Sequence, residues 1–354
     1  MKIVKQFLML ACIVYAGLVS AGNLATDKCV DFSISRKDAH RIILQNETKE
    51  TYSRFTWDLG DGRRKPVSGS DVVYFPFKGE YVITLIAERE DLRCERKRKV
   101  VIENDDSAYN ENFRLVWSDE FDGDAVNQDY WSFETGATGW GNNELQNYTD
   151  GENAVVKEGH LTITASKVGP QVRQKRGDYT SVRMITKGKK EFLYGRIEAR
   201  AKMPKGTGTW AAFWMLGAGH PEVMWPHCGE IDIMEYVGYD PDVHNVAIHN
   251  GASFGNTRNK SKIAVEDADE GFHVYGLIWD KYSLKFYVDD VANIFYTYKP
   301  EQYNRDTWPH CAPYYIILNL AVGGGWGGKK GVDDTIFPVD YVVDYVRVYQ
   351  NPEY

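Results

Sequence analysis

Three acidic residues lie close together in the segment Gly229–Gly238, which reads GEIDIMEYVG. Glu230, Asp232 and Glu235 alternate there with apolar residues, a pattern typical of a β-strand with one buried face and one polar face. Carboxyl groups held in pairs are the usual chemistry of glycoside hydrolysis, in which one attacks the sugar or activates water and the other transfers a proton. The segment is therefore the first candidate for an active site.

The spacing of these acids raises a geometric question. Glu230 and Asp232 are two residues apart and share a face, whereas Glu235 is five from Glu230 and would point to the opposite face of a regular strand. A β-bulge near Ile233-Met234 would add one residue and bring all three acids to one side. The two glutamates would then act as if four residues apart, roughly 13 Å along the strand. Side chains that lean together could reach the ~5–5.5 Å separation of a retaining glycosidase.

If the acids share a face, their roles follow from chemistry. Glu230 would attack the anomeric carbon while Glu235 protonates the departing oxygen and then serves as the base for water. Asp232 would hydrogen-bond Glu230 and hold its orientation. Spacing alone leaves two alternatives open, namely a solvated edge strand with acids on its exposed face and a calcium site built from clustered carboxylates.

Short strand patterns interrupted by Gly, Asp and Asn fill the rest of the chain. β-Branched and aromatic residues cluster at 81–87, 161–165 and 284–288, and no long stretch after the N-terminal segment has a helical period. Such patterns predict an all-β protein made of sandwiches or barrels. We expect a first unit at 27–105, a polar linker at 106–112 and a large second unit at 113–354.

Residues 1–21 have the features of a signal peptide. Two lysines precede an apolar run from Phe7 to Val19, and a small-residue cleavage site follows. The prediction is a secreted or periplasmic protein, with a membrane anchor and lipid attachment to the cell surface through Cys12 as alternatives; no transmembrane segment is expected. The formal net charge of −8 argues against nucleic acid or an anionic membrane as the main partner.

Four cysteines lie beyond the predicted signal peptide. Cys29 and Cys94 flank the first unit, and a disulfide between them would contribute roughly 4 kcal/mol by closing a loop of that size. Cys228 lies just before the candidate strand, where a buried free thiol is favoured over a bridge to Cys311. No pair has the C-x-x-C spacing of a zinc or redox site.

The first unit contains WDLGDG at 57–62 and GEYVITL at 79–85. These residues resemble a PKD-type domain, a small immunoglobulin-like β-sandwich with a W-D-F-G-D-G turn followed by a G-x-Y-x-V strand; Leu59 replaces the usual Phe. In secreted carbohydrate enzymes such modules look like spacers or weak binding units. A spacer is favoured here, because the sequence assigns no exposed planar set of aromatic residues to this unit.

Seven segments of the second unit follow one family pattern in order: LVWSDEFDG at 115–123, GWGNNELQNYT at 139–149, YTSVR at 179–183, YGRIEAR at 194–200, WPHCGEIDIMEYVG at 225–238, NLAVGG at 319–324 and VDYVRVY at 343–349. They resemble glycoside hydrolase family 16 in its laminarinase-type form, which has a bulged catalytic strand. The resemblance implies a β-jelly-roll sandwich with a substrate cleft on its concave face. It also implies Glu230 as nucleophile, Asp232 as assisting acid and Glu235 as acid/base.

The resemblance further implies a secreted retaining endo-β-glucanase that hydrolyses laminarin-type β-1,3-glucan. The substrate-binding residues that it implies are Asn142, Arg183, Trp210, Trp214, Trp225 and His249. The tryptophans would be ring platforms, since a pyranose face is apolar and packs flat on a ring, and the polar residues would contact hydroxyl groups. A tryptophan on a strand can instead belong to the core, and Arg183 can make a structural ion pair.

The sequence departs from the family pattern in three places. Ala211 replaces the usual Pro, Val182 stands where a small residue is common, and the segment 247–255 keeps its His but lacks the Thr-Pro that normally follows. That segment edges the cleft, so mixed-linkage β-1,3-1,4-glucan remains an alternative substrate. A transglycosylase or a non-catalytic glucan-binding protein of the same fold is a further alternative.

No cofactor is expected for catalysis, and a monomer is the expected state. Relatives in the family often carry a structural calcium on the convex face. By that resemblance its ligands would be Glu120, the backbone carbonyl of Gly159 and Asp344. Oxygen ligands of this kind suit Ca²⁺ better than Mg²⁺.

Overall fold

The computed structural model describes residues 29–354 apart from Asp91, Gln171 and Val172. The predicted signal peptide and Cys12 lie outside these residues. The chain forms two compact units, one up to Arg114 together with Gln350–Tyr354 and the other Leu115–Tyr349. In the described part, a single 3-10 helix, Asn110–Asn112, accompanies the strands, and no helix there is long and apolar enough to cross a membrane.

Two antiparallel sheets form the first unit. Its strands are β1 (Phe32–Arg36), β2 (Arg41–Asn46), β3 (Arg54–Asp58), β4 (Arg64–Pro66), β5 (Ser70–Tyr74), β6 (Gly79–Arg89) and β7 (Leu92–Ile102). One sheet has the order β1-β2-β5 and the other β4-β3-β6-β7. Phe32, Trp57 and Ile83 are fully buried in its core, and the predicted disulfide between Cys29 and Cys94 is present. The expected small β-sandwich is confirmed; its PKD-type character stays a prediction.

The segment 106–112 was expected to be a linker, and the structure corrects this. Tyr109 is buried, and its ring centroid lies 5.7 Å from that of Tyr354. An aromatic side chain in an otherwise polar run can fix the run by its large apolar area. Because Gln350–Tyr354 also belongs to the first unit, the second unit ends at Tyr349 rather than at residue 354.

The second unit is a larger sandwich of two sheets. Its strands are β8 (Arg114–Asp119), β9 (Ser132–Glu134), β10 (Gln146–Tyr148), β11 (Ala154–Lys157), β12 (His160–Lys167), β13 (Tyr179–Ser181), β14 (Arg183–Ile185), β15 (Glu191–Phe192), β16 (Gly195–Lys202), β17 (Thr209–Gly217), β18 (Glu230–Val237), β19 (Val243–His249), β20 (Lys260–Ala264), β21 (His273–Trp279), β22 (Leu284–Val288), β23 (Ile294–Tyr298), β24 (Tyr314–Val322) and β25 (Val339–Gln350). The ten-stranded sheet runs β10-β13-β12-β25-β16-β21-β22-β23, with β11 beside β12 and β8 beside β25. The eight-stranded sheet runs β20-β19-β18-β17-β24-β14-β9, with β15 beside β24. The predicted all-β jelly-roll sandwich is confirmed.

Alternation along β17 shows how the eight-stranded sheet separates its two faces. Ala211, Phe213 and Met215 are fully buried, whereas Trp210 and Trp214 are only half-buried. Successive side chains of a strand point to opposite faces, so the two tryptophans share the open face. The neighbouring strand β18 carries the acidic segment, and this pairing places acids and indole rings together.

Candidate active site

The bulge predicted from the spacing of the acids is present in β18. Between Asp232 and Glu235 this strand takes three steps while its partner β19 takes two, from Ala247 to Asn245. The pairing of β18 with β17 shifts by one residue at the same point, opposite Ile233. One extra residue changes the parity of the side chains that follow it. Glu235 therefore shares a face with Glu230, as predicted.

The position of β18 in the sheet decides between two interpretations of the acids. β18 lies between β17 and β19, both hydrogen-bonded to it, so the edge-strand interpretation is wrong. Asp232 is buried, and only 17% of the Glu230 side chain is exposed. Burying carboxyl groups on a central strand is costly unless other groups bind them. The groups that bind these acids therefore define the site.

Glu230 and Glu235 each accept a hydrogen bond from an indole. Trp225 Nε1 donates to Glu230 Oε2 at 3.0 Å, and Trp210 Nε1 donates to Glu235 Oε1 at 3.2 Å. These bonds hold the carboxyl groups in place without cancelling their charge. The bulge sets the face that the two acids share, and the indoles fix the carboxyl groups on it.

His249, at the end of β19, lies against the acids. Its Nε2 is 3.2 Å from Asp232 Oδ2 and 3.6 Å from Glu230 Oε1. The other ring nitrogen, Nδ1, accepts a hydrogen bond from the Gly255 backbone N–H at 3.0 Å. A neutral imidazole whose Nδ1 accepts must carry its proton on Nε2. Gly255 thereby directs the His249 N–H toward Asp232 and Glu230; a contact of His249 with a sugar hydroxyl stays a prediction.

Donor atoms of Glu230, Asp232 and His249 lie within 4.8 Å of one another, so the calcium alternative needs a test. Calcium takes oxygen ligands, and an imidazole suits it poorly. The nitrogen that faces the carboxylates is also the protonated one, because Gly255 occupies the other. A protonated nitrogen cannot bind a metal. The donor set therefore fits a group of acids facing one imidazole N–H better than a cation site.

Burial and mutual repulsion raise the pKa values of the acids. Burial, followed by the charge of Asp232, raises the pKa of Glu230 to about 8, whereas His249, Arg183 and the Trp225 N–H act in the opposite direction. Burial and the same neighbouring charge raise the pKa of Glu235 well above its ordinary value. The cluster cannot ionise fully near neutral pH. At least one of its carboxyl groups is thus a proton donor at that pH.

The residue before Glu230 must be glycine for the backbone to take its path into β18. Gly229 has φ of +80°, and a side chain at this position would collide with the Tyr314 hydroxyl and with Pro309. Only glycine takes this conformation and this proximity without strain. The preceding Cys228 is buried and free, as predicted, and burial raises the pKa of its thiol to about 12. Cys228 therefore packs beside the start of the strand as a structural residue and is not a nucleophile.

Residues 141–347 match the glycosyl hydrolases family 16 pattern. The chain belongs to this family. A laminarinase structure from Flavobacterium sp. UMI-01 is similar to the chain, with 46% identity and a TM-score of 0.63, and the match covers 67% of this chain and all of that one.

Two curated relatives extend the comparison. The β-glucanase of Rhodothermus marinus is 42% identical over 251 residues, which are 68% of this chain and 86% of the relative. Glucan endo-1,3-β-glucosidase A1 of Niallia circulans is 37% identical over 67% of this chain, and the match spans only 38% of that relative. The predicted family is confirmed, and the protein is a glycoside hydrolase.

In this family 16 chain, Arg183 makes the ion pair that the sequence left open as an alternative. Its Nε lies 2.5 Å from Glu134 Oε2, directly across from it in the register of β14 and β9. Its guanidinium also lies 4.7 Å from the ring centroid of Trp214 and 5.1 Å from that of Trp140. The arginine therefore holds two indole rings in place, and its contact with substrate hydroxyls stays a prediction.

A buried polar network beneath Trp214 was not predicted. Trp214 Nε1 donates to Asn319 Oδ1 at 2.7 Å, and Asn319 Nδ2 donates to the Tyr148 hydroxyl at 3.1 Å. That hydroxyl donates to Glu144 Oε2 at 3.4 Å, and Asn142 Nδ2 donates to Glu144 Oε1 at 3.1 Å. Two predicted substrate contacts, Asn142 and Trp214, are thus joined through a buried carboxyl. Glu144 and Tyr148 are an even number of residues apart in the 139–149 motif, and this spacing was the sequence signal that could have placed them on one face.

The aromatic residues meet the predictions in part. Trp225 is 38% exposed and Trp210 is half-buried, with the Trp326 ring edge-on at 5.2 Å. An accessible ring face is what stacking on a sugar requires. The core alternative is therefore wrong for Trp225, and Trp326 joins the aromatic set without a signal in the sequence. Stacking on substrate stays a prediction for each ring.

The predicted calcium ligands have other partners. Glu120 accepts two hydrogen bonds from Arg347, at 2.9 and 2.7 Å, and Asp344 accepts one from Arg200 at 2.5 Å. A cation at this place would have to compete with both arginines for the carboxylates. Calcium at Glu120, Gly159 and Asp344 stays a prediction.

Proposed function

We propose that this protein is a retaining endo-β-1,3-glucanase. The observation that carries the proposal is the bulge in β18, which puts Glu235 on the same open face as Glu230. A laminarinase and two glucanases among its relatives support the substrate class. Half-buried and exposed indoles beside both acids support a carbohydrate ligand, because a pyranose face packs flat on an aromatic ring.

The surroundings of the acids support a division of roles. Glu230 faces Trp225 and His249, which oppose the rise in its pKa that burial and Asp232 cause. It is the nucleophile that forms the bond to the anomeric carbon. Glu235 accepts a hydrogen bond from Trp210, and burial together with the charge of Asp232 raises its pKa well above the ordinary value despite His249, so that it keeps its proton. It gives that proton to the departing oxygen and takes one from the water that releases the sugar from Glu230.

Asp232 connects these two acids. It is buried, it lies between them on the strand, and the His249 N–H faces it at 3.2 Å. Its charge raises the pKa of both glutamates. It therefore helps Glu235 keep its proton, and His249, which lies 3.6 Å from Glu230, offsets part of this repulsion at both glutamates.

The configuration of the first product tests the proposal. Time-resolved NMR of a β-1,3-gluco-oligosaccharide digest should show the β-anomer first, followed by mutarotation. An α-anomer as the first product would overturn the retaining mechanism. A comparison of laminarin, curdlan and barley mixed-linkage glucan should show release of oligosaccharides from the first two. Release from barley glucan alone would overturn the β-1,3 preference.

We further propose export of the protein and a spacer role for the first unit. The disulfide Cys29–Cys94 supports an oxidising compartment, as does the predicted signal peptide at residues 1–21. The two-sheet sandwich around Trp57 supports the PKD-type resemblance. Mass spectrometry of protein from the culture medium tests export, since the mature chain should begin at Gly22.

A further inference from the structure

An exposed aromatic residue lies at the edge of the cleft, in the segment where the sequence departs from its family. Phe254 is 51% exposed, and its ring meets Trp225 edge-on with centroids 5.4 Å apart. Trp225 is itself 38% exposed and donates to Glu230. Single exposed hydrophobic residues need no explanation. Two in contact, one of them bonded to an active-site acid, form a continuous apolar surface that begins at the site.

The segment that carries Phe254 is held by its own hydrogen bonds. Asn250 is fully buried, and its Oδ1 accepts the backbone N–H groups of Ala252 and Ser253 at 3.1 and 3.0 Å. The next residue after Phe254, Gly255, donates to His249. Hydrogen bonds therefore fix the backbone on both sides of Phe254, at Ser253 and at Gly255. A ring held in this way loses little conformational entropy when it binds a ligand.

We propose that Phe254 and Trp225 together bind one glucosyl residue of the β-glucan chain, next to the residue that reacts at Glu230. This inference rests on the proposed function and adds a subsite to it. The two ring planes are nearly perpendicular, at 80°. They form an apolar corner in which the apolar side of a pyranose can pack. The ligand is a neutral hexopyranose, because the contact that the two rings offer is apolar.

A matched set of variants of the full-length protein tests this pair of rings, Phe254 and Trp225, as a sugar-binding platform. Phe254→Ala removes the ring, and Phe254→Tyr keeps it. Val155→Ala is the control, since Val155 is 53% exposed and lies on β11 of the other sheet. KM and kcat are measured with a series of β-1,3-gluco-oligosaccharides, and Kd is measured calorimetrically in a Glu235→Ala background.

We expect Phe254→Ala to raise KM and Kd for long oligosaccharides about tenfold, the order of one aromatic contact, with kcat changed less than twofold. Phe254→Tyr should bring both constants back to within about twofold of the parent. Equal KM and Kd for the parent and Phe254→Ala, in a protein that hydrolyses β-1,3-glucan, would overturn the platform alone. Failure of the parent to hydrolyse or bind β-1,3-glucan would overturn the proposed function and the platform with it.

Discussion

Glu230 and Glu235 are the same residue type on the same strand, yet the structure surrounds them differently. Both accept one indole N–H, from Trp225 and Trp210 at 3.0 and 3.2 Å. Glu230 additionally faces the His249 Nε2, whose direction is fixed by a backbone N–H on the far side of the ring. Glu235 lies beyond the bulge, where the partner strand offers Asn245 instead.

This difference indicates how one strand can provide two opposite chemistries. Donors around a carboxyl favour its ionised form, and burial favours the protonated form. The pairing of β18 with β19 separates the two environments, because it places His249 opposite Glu230 and, beyond the bulge, Asn245 opposite Glu235. The comparison therefore predicts that the two glutamates respond differently to the same chemical treatment.

The largest effect is expected when each glutamate is truncated. Glu230→Ala and Glu235→Ala should each lower kcat by on the order of 10⁴-fold or more. With an aryl β-glycoside whose leaving group departs without protonation, azide should rescue both variants by different routes: it replaces the nucleophile in Glu230→Ala and gives an α-glycosyl azide, whereas in Glu235→Ala it attacks the glycosyl enzyme and gives a β-glycosyl azide. NMR of the azide products distinguishes the two. The same anomer from both variants would contradict the assigned roles.

A smaller effect is expected at His249. His249→Ala removes the donor that faces Glu230 and Asp232, so the pKa of Glu230 should rise further above its value of about 8. The acidic limb of the pH–rate profile should move to higher pH, and kcat should fall about 10–100-fold, the usual range for a group that orients an active-site ligand. His249→Gln is the matched variant, because its amide N–H can replace the lost donor. An unchanged acidic limb in His249→Ala would show that the histidine has no such role.

The network under Trp214 should affect binding more than chemistry. Glu144 accepts hydrogen bonds from Gln146 at 2.6 Å, from Asn142 at 3.1 Å and from Tyr148 at 3.4 Å. Glu144→Gln would set an amide N–H against one of these donors, which costs about 1–3 kcal/mol of stability. We expect KM to rise several-fold, which corresponds to a loss of about 1 kcal/mol in substrate binding, and kcat to change little.

The control for this variant is Glu152→Gln, an exposed glutamate close in sequence. It should leave Tm and KM unchanged, since exposed substitutions seldom matter. A large fall in kcat for Glu144→Gln, with KM constant, would place Glu144 in the chemistry rather than in the positioning of the indole.

The active strand could be predicted from the sequence because its rule is arithmetic. Side chains alternate along a strand, so an odd interval between Glu230 and Glu235 requires an extra residue, and the structure has it. The disulfide Cys29–Cys94 and the free Cys228 followed from position in the same way. Each of these predictions depended on local order along the chain.

The unpredicted features depend instead on contacts between distant segments. Asn319 and Tyr148 are joined by a hydrogen bond across 171 positions, and nothing in either local pattern requires it. The linker failed for a related reason, since Tyr109 packs with the C-terminal Tyr354. Gly255 is another case, because a backbone N–H carries no residue-specific signal. Sequence patterns indicate which face a side chain occupies, but not which partner it meets there.

The smallest expected effect concerns stability and reports directly on the cost of burying Glu230. Its pKa rises from an ordinary 4.5 to about 8 on folding, so between these values the folded chain binds more protons than the unfolded chain. The free energy of unfolding must then fall as pH rises through that window.

Glu230→Gln removes this penalty and keeps an oxygen that can accept the Trp225 N–H. We expect its Tm to exceed that of the parent at pH 8, by about 2–4 °C for each 1 kcal/mol of penalty removed, and to match it near pH 4.5. Differential scanning calorimetry at both pH values measures the difference, with Glu152→Gln as control. A variant less stable than its parent at pH 8 would mean that Glu230 is ionised and well paired in the folded protein, so that its environment would differ from that of Glu235 even more than the structure indicates.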